Sequence, residues 1–178
     1  VSMVAGLSQL AFMVALVSEG IHDSLTRCYS RRCGEELIDL QYAWSTRANA
    51  PLALAIVHLE GFHDINVRFG YDFGDIALKN AAEMIHDELR AGDMLVRWGG
   101  DKFLLVLPNT SAEQASAAVK RLLSSGLGSL PDKKPLTVSL GVAERTRDST
   151  EDWWRLVDAA EARAKAAGSA GSNRAVEK

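Results

Sequence analysis

Residues 93–108 constrain the fold more than any other part of the chain. They read Asp-Met-Leu-Val-Arg-Trp-Gly-Gly-Asp-Lys-Phe-Leu-Leu-Val-Leu-Pro, so two apolar runs flank Gly99-Gly100-Asp101-Lys102. Because glycine and aspartate suit tight turns, this stretch predicts a β-hairpin over 94–98 and 103–107. The glycines leave room for a ligand to approach the backbone, and Asp101 offers a carboxylate to a cation. An ordinary β-hairpin explains the same residues.

The composition is that of one globular domain. The chain has 178 residues, of which 47% are apolar and 24% are charged, and this length is enough to bury a substantial core. The net charge of -3 argues against a general nucleic-acid binder. Cys28 and Cys33 are the two cysteines of the chain, so no second pair completes a zinc site. They are typical of reduced thiols rather than of a disulfide framework. We therefore expect a cytoplasmic protein, or the cytoplasmic part of a larger membrane-anchored one.

The first 22 residues form a separate segment. Residues 3–17 are largely apolar but form a stretch shorter than the ~20 residues that a membrane-spanning helix needs. No Lys or Arg precedes Arg27, so the positively charged start of a signal peptide is not seen. The apolar positions follow a heptad pattern: Met3, Leu7, Leu10, Val14, Val17 and Ile21. We expect a helix over 1–22 that pairs with a second copy or packs on its own domain. The trimmed end of a membrane helix is a third interpretation.

Residues 23–178 alternate between helical and strand patterns. The predicted elements are a helix over Arg31–Ala48, a buried strand over Leu52–Leu59, a loop with a short helical turn over 61–74, a helix over 75–90, the hairpin, a helix capped by Ser111 and ending near Ser125, a strand over 136–143, and a helix from Thr150 or Asp152 to 168–172. This order predicts an α/β (α+β) fold, with a mixed central sheet covered by helices and related to the ferredoxin-like split βαβ.

Five short motifs stand in order along this region. They are Asp23-Ser-Leu-Thr26, Phe62 with Ile65-Asn66 and Gly70 to Asp75, Arg97-Trp-Gly-Gly-Asp-Lys-Phe103, Thr137-Val-Ser-Leu-Gly141, and Asn173-Arg174. Together they resemble the GGDEF family, which contains the diguanylate cyclases and their inactive relatives. The resemblance implies a nucleotidyl-cyclase-like mixed sheet with a βαββαβ core.

The resemblance also implies a chemistry. In active members two domains each hold one GTP, a 3′-hydroxyl attacks the partner's α-phosphorus, and cyclic di-GMP forms with Mg²⁺ neutralising charge. The matches in this chain are Gly99 and Gly100 in the catalytic turn, Asp101 as a metal carboxylate, and Asn66 with Asp75 as the pair that binds guanine.

Several positions depart from the family pattern where charge matters. His58 replaces the metal-binding Asp at the strand end, and Lys102 replaces the Glu of the signature. His63 replaces a Lys and Ser172 an Arg. On the last helix Glu161-Ala162 replaces Leu-Tyr, although the Lys of the family pattern is present as Lys165. Mg²⁺ prefers oxygen ligands at ~2.1 Å, and imidazole is a poor substitute. We therefore predict a catalytically degenerate domain that requires no cofactor. Mg²⁺ would be needed only if the chain is a working cyclase.

A second motif matches the family's inhibitory product site. Arg90 and Asp93 form R-x-x-D, and Arg121 on the following helix is a candidate further contact. An Arg can donate two hydrogen bonds to guanine, and a carboxylate can accept from guanine N1 and N2. Solvated charges at a helix end explain an isolated R-x-x-D equally simply.

The favoured function is a cyclic di-GMP receptor or regulatory module in bacterial second-messenger signalling. A slow diguanylate cyclase that uses two GTP and a protein-interaction domain without nucleotide are the alternatives. The expected partners are cyclic di-GMP, GTP in the cyclase alternative, and a second copy or a signalling protein. Neither nucleic acid nor a membrane is expected to bind residues 1–178.

Overall fold

A computed structural model describes residues 20–171 and 173–176. The elements in chain order are α1 (Arg31–Ala48), β1 (Leu52–Leu59), α2 (Phe62–Phe69), α3 (Tyr71–Glu88), β2 (Met94–Arg97), β3 (Lys102–Pro108), α4 (Ala112–Ser125), β4 (Val138–Glu144), α5 (Arg145–Asp148), α6 (Trp153–Ser169) and β5 (Arg174–Val176). Apart from its last residues, the helix predicted over 1–22 lies outside the described part of the chain.

The five strands form one mixed sheet in the order β2-β3-β1-β4-β5. Central β1 pairs antiparallel with both β3 and β4, whereas β4 and β5 are parallel. The predicted mixed sheet with a βαββαβ core is confirmed. The three-residue strand β5 and the one-turn helix α5 were not predicted, because segments this short carry no measurable periodicity.

The predicted loop over 61–74 is wrong, because most of it is helical. Gly70, with φ of 89°, is the single residue that separates α2 from α3. Ile65 is buried, and Phe62 and Phe69 pack against the same core, so this short helix is stabilised by burial of one face. Helix α3 consequently begins at Tyr71 rather than Asp75. It ends at Glu88, two residues before Arg90.

The sheet lies between two helical layers. Alternate residues of β1 face opposite sides: Ala53, Ala55, Val57 and Leu59 pack with the core under α3 and α4, and Leu52, Leu54 and Ile56 pack with the core under α1 and α6. His58 shares the parity of the second set. It therefore lies on the α6 side, at the end of the strand.

Helix α6 lies directly on β4 because Gly141 has no side chain. A Cβ at this position would be 2.0 Å from the carbonyl oxygen of Ala160 and 2.3 Å from the amide nitrogen of Ala164. The close approach brings polar residues of α6 over the end of β1. Within the described ranges, no helix is both long and apolar enough to cross a bilayer.

Candidate functional site

The hairpin tip is held by its own backbone and by Arg97. The backbone N–H groups of Trp98 and Gly99 donate to the carbonyl of Lys102 at 3.0 and 3.2 Å. The Nε of Arg97 donates to the carbonyl of Gly99 at 2.6 Å, and its Nη2 donates to the carbonyl of Gly100. Burial lowers the pKa of Arg97, which the charge of Asp23 partly offsets. The predicted hairpin is confirmed, and its turn is fixed from within.

His58 lies between two carboxylates. Its Nε2 is 3.1 Å from Oδ2 of Asp101, and its Nδ1 is 3.5 Å from Oε1 of Glu60. Glu60 also accepts a hydrogen bond from the hydroxyl of Ser139. The imidazole therefore contacts the one hairpin carboxylate that the sequence nominated as a metal ligand.

Lys102 is directed across the sheet end to α6. Its Nζ is 3.4 Å from Oε1 of Glu161. Both side chains line a cavity of about 630 Å³, which we call the hairpin cavity. Its other lining residues include His58, Glu60, Asp158, Lys165 and residues near the end of α6. Three carboxylates thus face two ammonium groups.

These side chains do not fit a magnesium ion. Mg²⁺ demands near-octahedral oxygen coordination, whereas Asp101 is paired with an imidazole and an ammonium group occupies the next position along the strand. Within residues 20–171 and 173–176, no three His, Cys, Asp or Glu side chains are arranged to hold a metal.

Asn66 and Asp75, the predicted guanine-binding pair, lie on consecutive helices. Asn66 Oδ1 is buried and has no hydrogen-bond partner among the described residues. It lies against Gly74, where a Cβ would be 1.9 Å away. Asp75 is exposed at the start of α3. The pair retains an unused acceptor and an accessible carboxylate.

Arg90 and Asp93 form the corner between α3 and β2. Oδ2 of Asp93 accepts from the backbone N–H of Arg90 at 2.9 Å, and the carbonyl of Arg90 accepts from the N–H of Asp93 at 3.0 Å. These bonds fix the carboxylate and leave its second oxygen available. The side chain of Arg90 is exposed.

A second cavity of about 630 Å³ opens at this corner. Its polar lining includes Arg90, Asp93, His22, Arg27, Tyr29 and His86. The segment before α1 reaches the corner because the N–H of Tyr29 donates to the carbonyl of Leu95 at 2.9 Å. His22 then stacks on Tyr29, with ring centroids 5.3 Å apart. Of these residues, sequence reasoning nominated only Arg90 and Asp93, since no local pattern predicts the contact with Leu95.

Arg121 lies near this corner but does not line the cavity. Its Nε donates to Oε2 of Glu88 at 2.9 Å, and Ser125 donates to the same carboxylate at 3.1 Å. The two hydrogen bonds hold the pKa of Glu88 below its ordinary value. The structure therefore places Arg121 in an ion pair at the end of α3, and its predicted role as a ligand contact stays a prediction.

The family model for the diguanylate cyclase GGDEF domain matches residues 20–174. The chain belongs to the GGDEF family. A relative from Escherichia coli K12, the probable diguanylate cyclase DgcC, is 32% identical over 152 residues, which cover 82% of this chain and 41% of the relative. The GGDEF chain thus spans less than half the length of that protein.

Solved structures of GGDEF proteins share the fold. The diguanylate cyclase SiaD of Pseudomonas aeruginosa, solved with its activator SiaC, is 29% identical with a TM-score of 0.80, over 98% of this chain and 68% of SiaD. A microbial GGDEF domain solved with cyclic di-GMP is 30% identical with a TM-score of 0.75, over 89% of this chain and 99% of that domain.

Proposed function

We propose that this GGDEF domain is a catalytically degenerate receptor that binds cyclic di-GMP at Arg90 and Asp93. The observation that carries the proposal is the corner itself, where a fixed carboxylate and an exposed guanidinium line one cavity. The relative solved with cyclic di-GMP supports the same ligand. A regulatory role in second-messenger signalling would follow from that binding.

The chemistry of the corner suits a guanine edge. The guanidinium of Arg90 can donate to O6 and N7 together, and the free oxygen of Asp93 can accept from N1 or N2. No metal ligand takes part, so binding is expected in the presence of EDTA. The backbone hydrogen bond to Asp93 orients the carboxylate before the ligand arrives, which lowers the cost of ordering it.

Loss of cyclase activity is the other half of the proposal. The His58–Asp101 contact and the Lys102–Glu161 pair support it, because a nitrogen base and an ammonium group lie where Mg²⁺ would need oxygen ligands. Purified protein with GTP and Mg²⁺ is therefore expected to form no cyclic di-GMP. Steady product formation that depends on Asp101 would establish the cyclase alternative instead.

Titration of the wild type, Arg90→Ala and Asp93→Ala tests the binding site. Each protein is titrated with cyclic di-GMP and cyclic di-AMP in EDTA. Arg90→Ala should weaken cyclic di-GMP binding by about ten- to a hundredfold, since a bidentate pair contributes ~1–3 kcal/mol. Asp93→Ala should weaken the guanine dinucleotide more than the adenine one, because only guanine carries the N1 and N2 donors.

The control removes an arginine outside the cavity. Arg155 lies in the first turn of α6 and pairs with Glu151 and Asp152, so Arg155→Ala should bind as the wild type does. Unchanged affinity in Arg90→Ala would place the ligand elsewhere. No binding by the wild type would leave the interaction-domain alternative.

A second candidate is GTP binding, with or without slow cyclase activity. The buried, unpartnered Oδ1 of Asn66 favours it, because an N–H donor from a base would satisfy that atom. Equilibrium titration with GTP, with and without Mg²⁺, tests this candidate. Asn66→Ala should abolish any such binding and leave the corner site unchanged.

The biological setting is part of the same proposal. SiaD was solved with its activator protein SiaC, and we propose that this chain likewise acts through a signalling protein or a second copy of itself. Because cyclic di-GMP signals inside bacteria, the receptor would work in the cytoplasm.

A further inference from the structure

We propose that Arg27 is the second guanidinium of the cyclic di-GMP site and that it binds a phosphodiester group of the ligand. This inference rests on the proposed function and deepens it. It assigns to Arg27 the basic contact that the sequence suggested for Arg121.

The backbone of Arg27 is in the left-handed region, with φ of 63°. A tight turn imposes this conformation, because the N–H of Arg27 donates to the carbonyl of Asp23 at 2.9 Å and the N–H of Asp23 donates to the carbonyl of Cys28 at 2.8 Å. Thr26 adds two hydrogen bonds from its N–H and Oγ1 to Oδ2 of Asp23, at 2.8 and 2.7 Å. Residues other than glycine rarely occupy this region, and strained positions cluster at ligand sites.

The guanidinium of Arg27 is not neutralised by any described residue. No carboxylate of residues 20–171 or 173–176 forms an ion pair with it within 4.0 Å, and the same holds for Arg90. Arg121 is paired with Glu88 at 2.9 Å and Arg163 with Asp148 at 2.7 Å, whereas Arg27 and Arg90, like Arg32 and Arg47, are not paired within the described ranges. Arg27 and Arg90 differ from the other unpaired arginines because they line the same cavity. Two guanidinium groups that form no ion pair with a described residue therefore line one cavity, and each is available to an anionic or hydrogen-bond-accepting group of a ligand.

Three carboxylates, those of Glu83, Asp87 and Asp93, also line the cavity, so what distinguishes the two guanidinium groups is their lack of an ion-pair partner among the described residues and not a net positive charge. Glu83 and Asp87 lie on the exposed side of α3, and no described arginine forms an ion pair with either. The carboxylate of Asp93 accepts a hydrogen bond from the backbone N–H of Arg90. A cyclic dinucleotide carries two phosphodiester groups with one negative charge each. With Arg90 on a guanine, Arg27 remains for a phosphate.

The position of Arg27 explains why it would replace Arg121. Arg27 lies in a hydrogen-bonded turn, and the two residues after it, Cys28 and Tyr29, also line the cavity. Arg121 would have to leave Glu88 first, at the cost of two hydrogen bonds from its own side chain. The guanidinium of Arg27 forms no such hydrogen bonds with the described residues, so it has none to break before it contacts an anionic group.

The experiment compares Arg27→Gly, Arg27→Lys and Arg121→Ala with the wild type in cyclic di-GMP titrations. Arg27→Gly should weaken binding about ten- to a hundredfold at low salt, as expected for a lost charged hydrogen bond. The deficit should shrink as NaCl rises, because salt screens the contact. The preference for cyclic di-GMP over cyclic di-AMP should stay as in the wild type. Arg27→Lys should retain part of the affinity, and Arg121→Ala all of it.

Stability measurements separate binding from folding. Glycine adopts positive φ without strain, so Arg27→Gly should unfold at the same temperature as the wild type or higher while it binds less tightly. Wild-type affinity in Arg27→Gly, or a loss in Arg121→Ala without one in Arg27→Gly, would overturn the inference. A changed guanine preference in Arg27→Gly would overturn it as well. A wild type that does not bind cyclic di-GMP would instead overturn the proposed function, and the inference with it.

Discussion

At the scale of single residues, nitrogen-bearing side chains lie beside carboxylates at the hairpin tip and the end of β1. His58 contacts Asp101 at 3.1 Å, and Lys102 contacts Glu161 at 3.4 Å. Both pairs are partly exposed, so each contributes little to the free energy of folding. Their consequence is chemical, because His58 places a nitrogen atom beside Asp101 where a magnesium site would use a second carboxylate oxygen.

Replacing both residues tests this point. The double variant His58→Asp with Lys102→Glu should bind Mg²⁺, whereas the wild type should not, because three oxygen-bearing side chains would then meet at the strand end. The unfolding midpoint of the variant should rise by a few degrees when Mg²⁺ reaches about ten times its dissociation constant. Equal stabilisation of the wild type by Mg²⁺ would contradict the argument. Full cyclase activity is not expected, since His63 and Ser172 remain.

Among residues 20–171 and 173–176, the most enclosed ion pair joins Arg163 to Asp148. The two form paired hydrogen bonds at 2.7 and 2.8 Å, and Nη1 of Arg163 also donates to the carbonyl of Val142 at 2.7 Å. Their side chains are only 18% and 12% exposed. Burial raises the pKa of Asp148, but hydrogen bonds from Arg163 and from the N–H of Glu144 outweigh it. The pKa of Asp148 therefore lies below its ordinary value.

The stability of the domain should accordingly depend on Asp148 in acid. A depressed carboxyl pKa stabilises the fold above the unfolded-state pKa of ~3.9, and this contribution is lost as the pH falls through the lower folded-state pKa. Asp148→Asn should cost about 3 kcal/mol at pH 7 and should remove this part of the acid dependence. Urea unfolding of both proteins between pH 7 and 2 measures the difference. Parallel pH profiles would show that Asp148 is not the responsible group.

At the scale of elements, the contact between α6 and β4 positions the hairpin cavity. Gly141 allows the helix backbone to approach the strand, and Ala160 and Ala164 of α6 are buried at the contact. Glu161 and Lys165 lie on the same helix and line the cavity. The wall of the cavity is therefore set by small residues that take no part in its chemistry.

Gly141→Ala should separate α6 from the sheet. The added Cβ would meet backbone atoms, which cannot move without shifting the helix, so we expect a loss of about 3 kcal/mol or more. Gly100→Ala is the matched control, because a Cβ at Gly100 meets nothing within 4 Å and should leave the free energy of unfolding unchanged. Urea denaturation measures both. Equal stability of the two variants would show that the helix accommodates the methyl group.

At the scale of the whole molecule, the heptad pattern from Met3 to Ile21 bears on assembly. Residues 1–19 lie outside the described ranges, and the helix predicted there stays a prediction. From the sequence we expect this segment to set the oligomeric state, since a heptad of apolar residues is typical of paired helices. The separation of two GGDEF domains would then depend on that segment.

Truncation tests the assembly. A chain that starts near Ile21 should be a monomer at concentrations where residues 1–178 form a dimer, as measured by light scattering. The variant Leu10→Asp of residues 1–178 is the control, because it places a charge among the predicted heptad positions without shortening the chain. The same solution mass for all three would exclude the segment as the determinant of assembly.

Much of the fold followed from local patterns in the sequence. The bounds of α1 and β1 are as predicted, and the predicted capping box of α4 is present at Ser111 and Gln114. Such features depend on residues a few positions apart, which the sequence displays directly. The boundary at Gly70 was missed because two helices joined by one glycine look like a polar loop. The family motifs nominated Arg90, Asp93 and Asp101, since each lies within a short segment of defined shape.

The pairings of the functional side chains were decided by the tertiary structure. His58 meets Asp101 across 43 positions and Lys102 meets Glu161 across 59, so neither contact leaves a local signal. Arg121 is held by Glu88 across 33 positions, whereas Arg27 reaches the corner of Arg90 through the contact of Tyr29 with Leu95. The sequence determines the chemical type of each side chain. The charged groups that lie next to it depend on which strands and helices pack together.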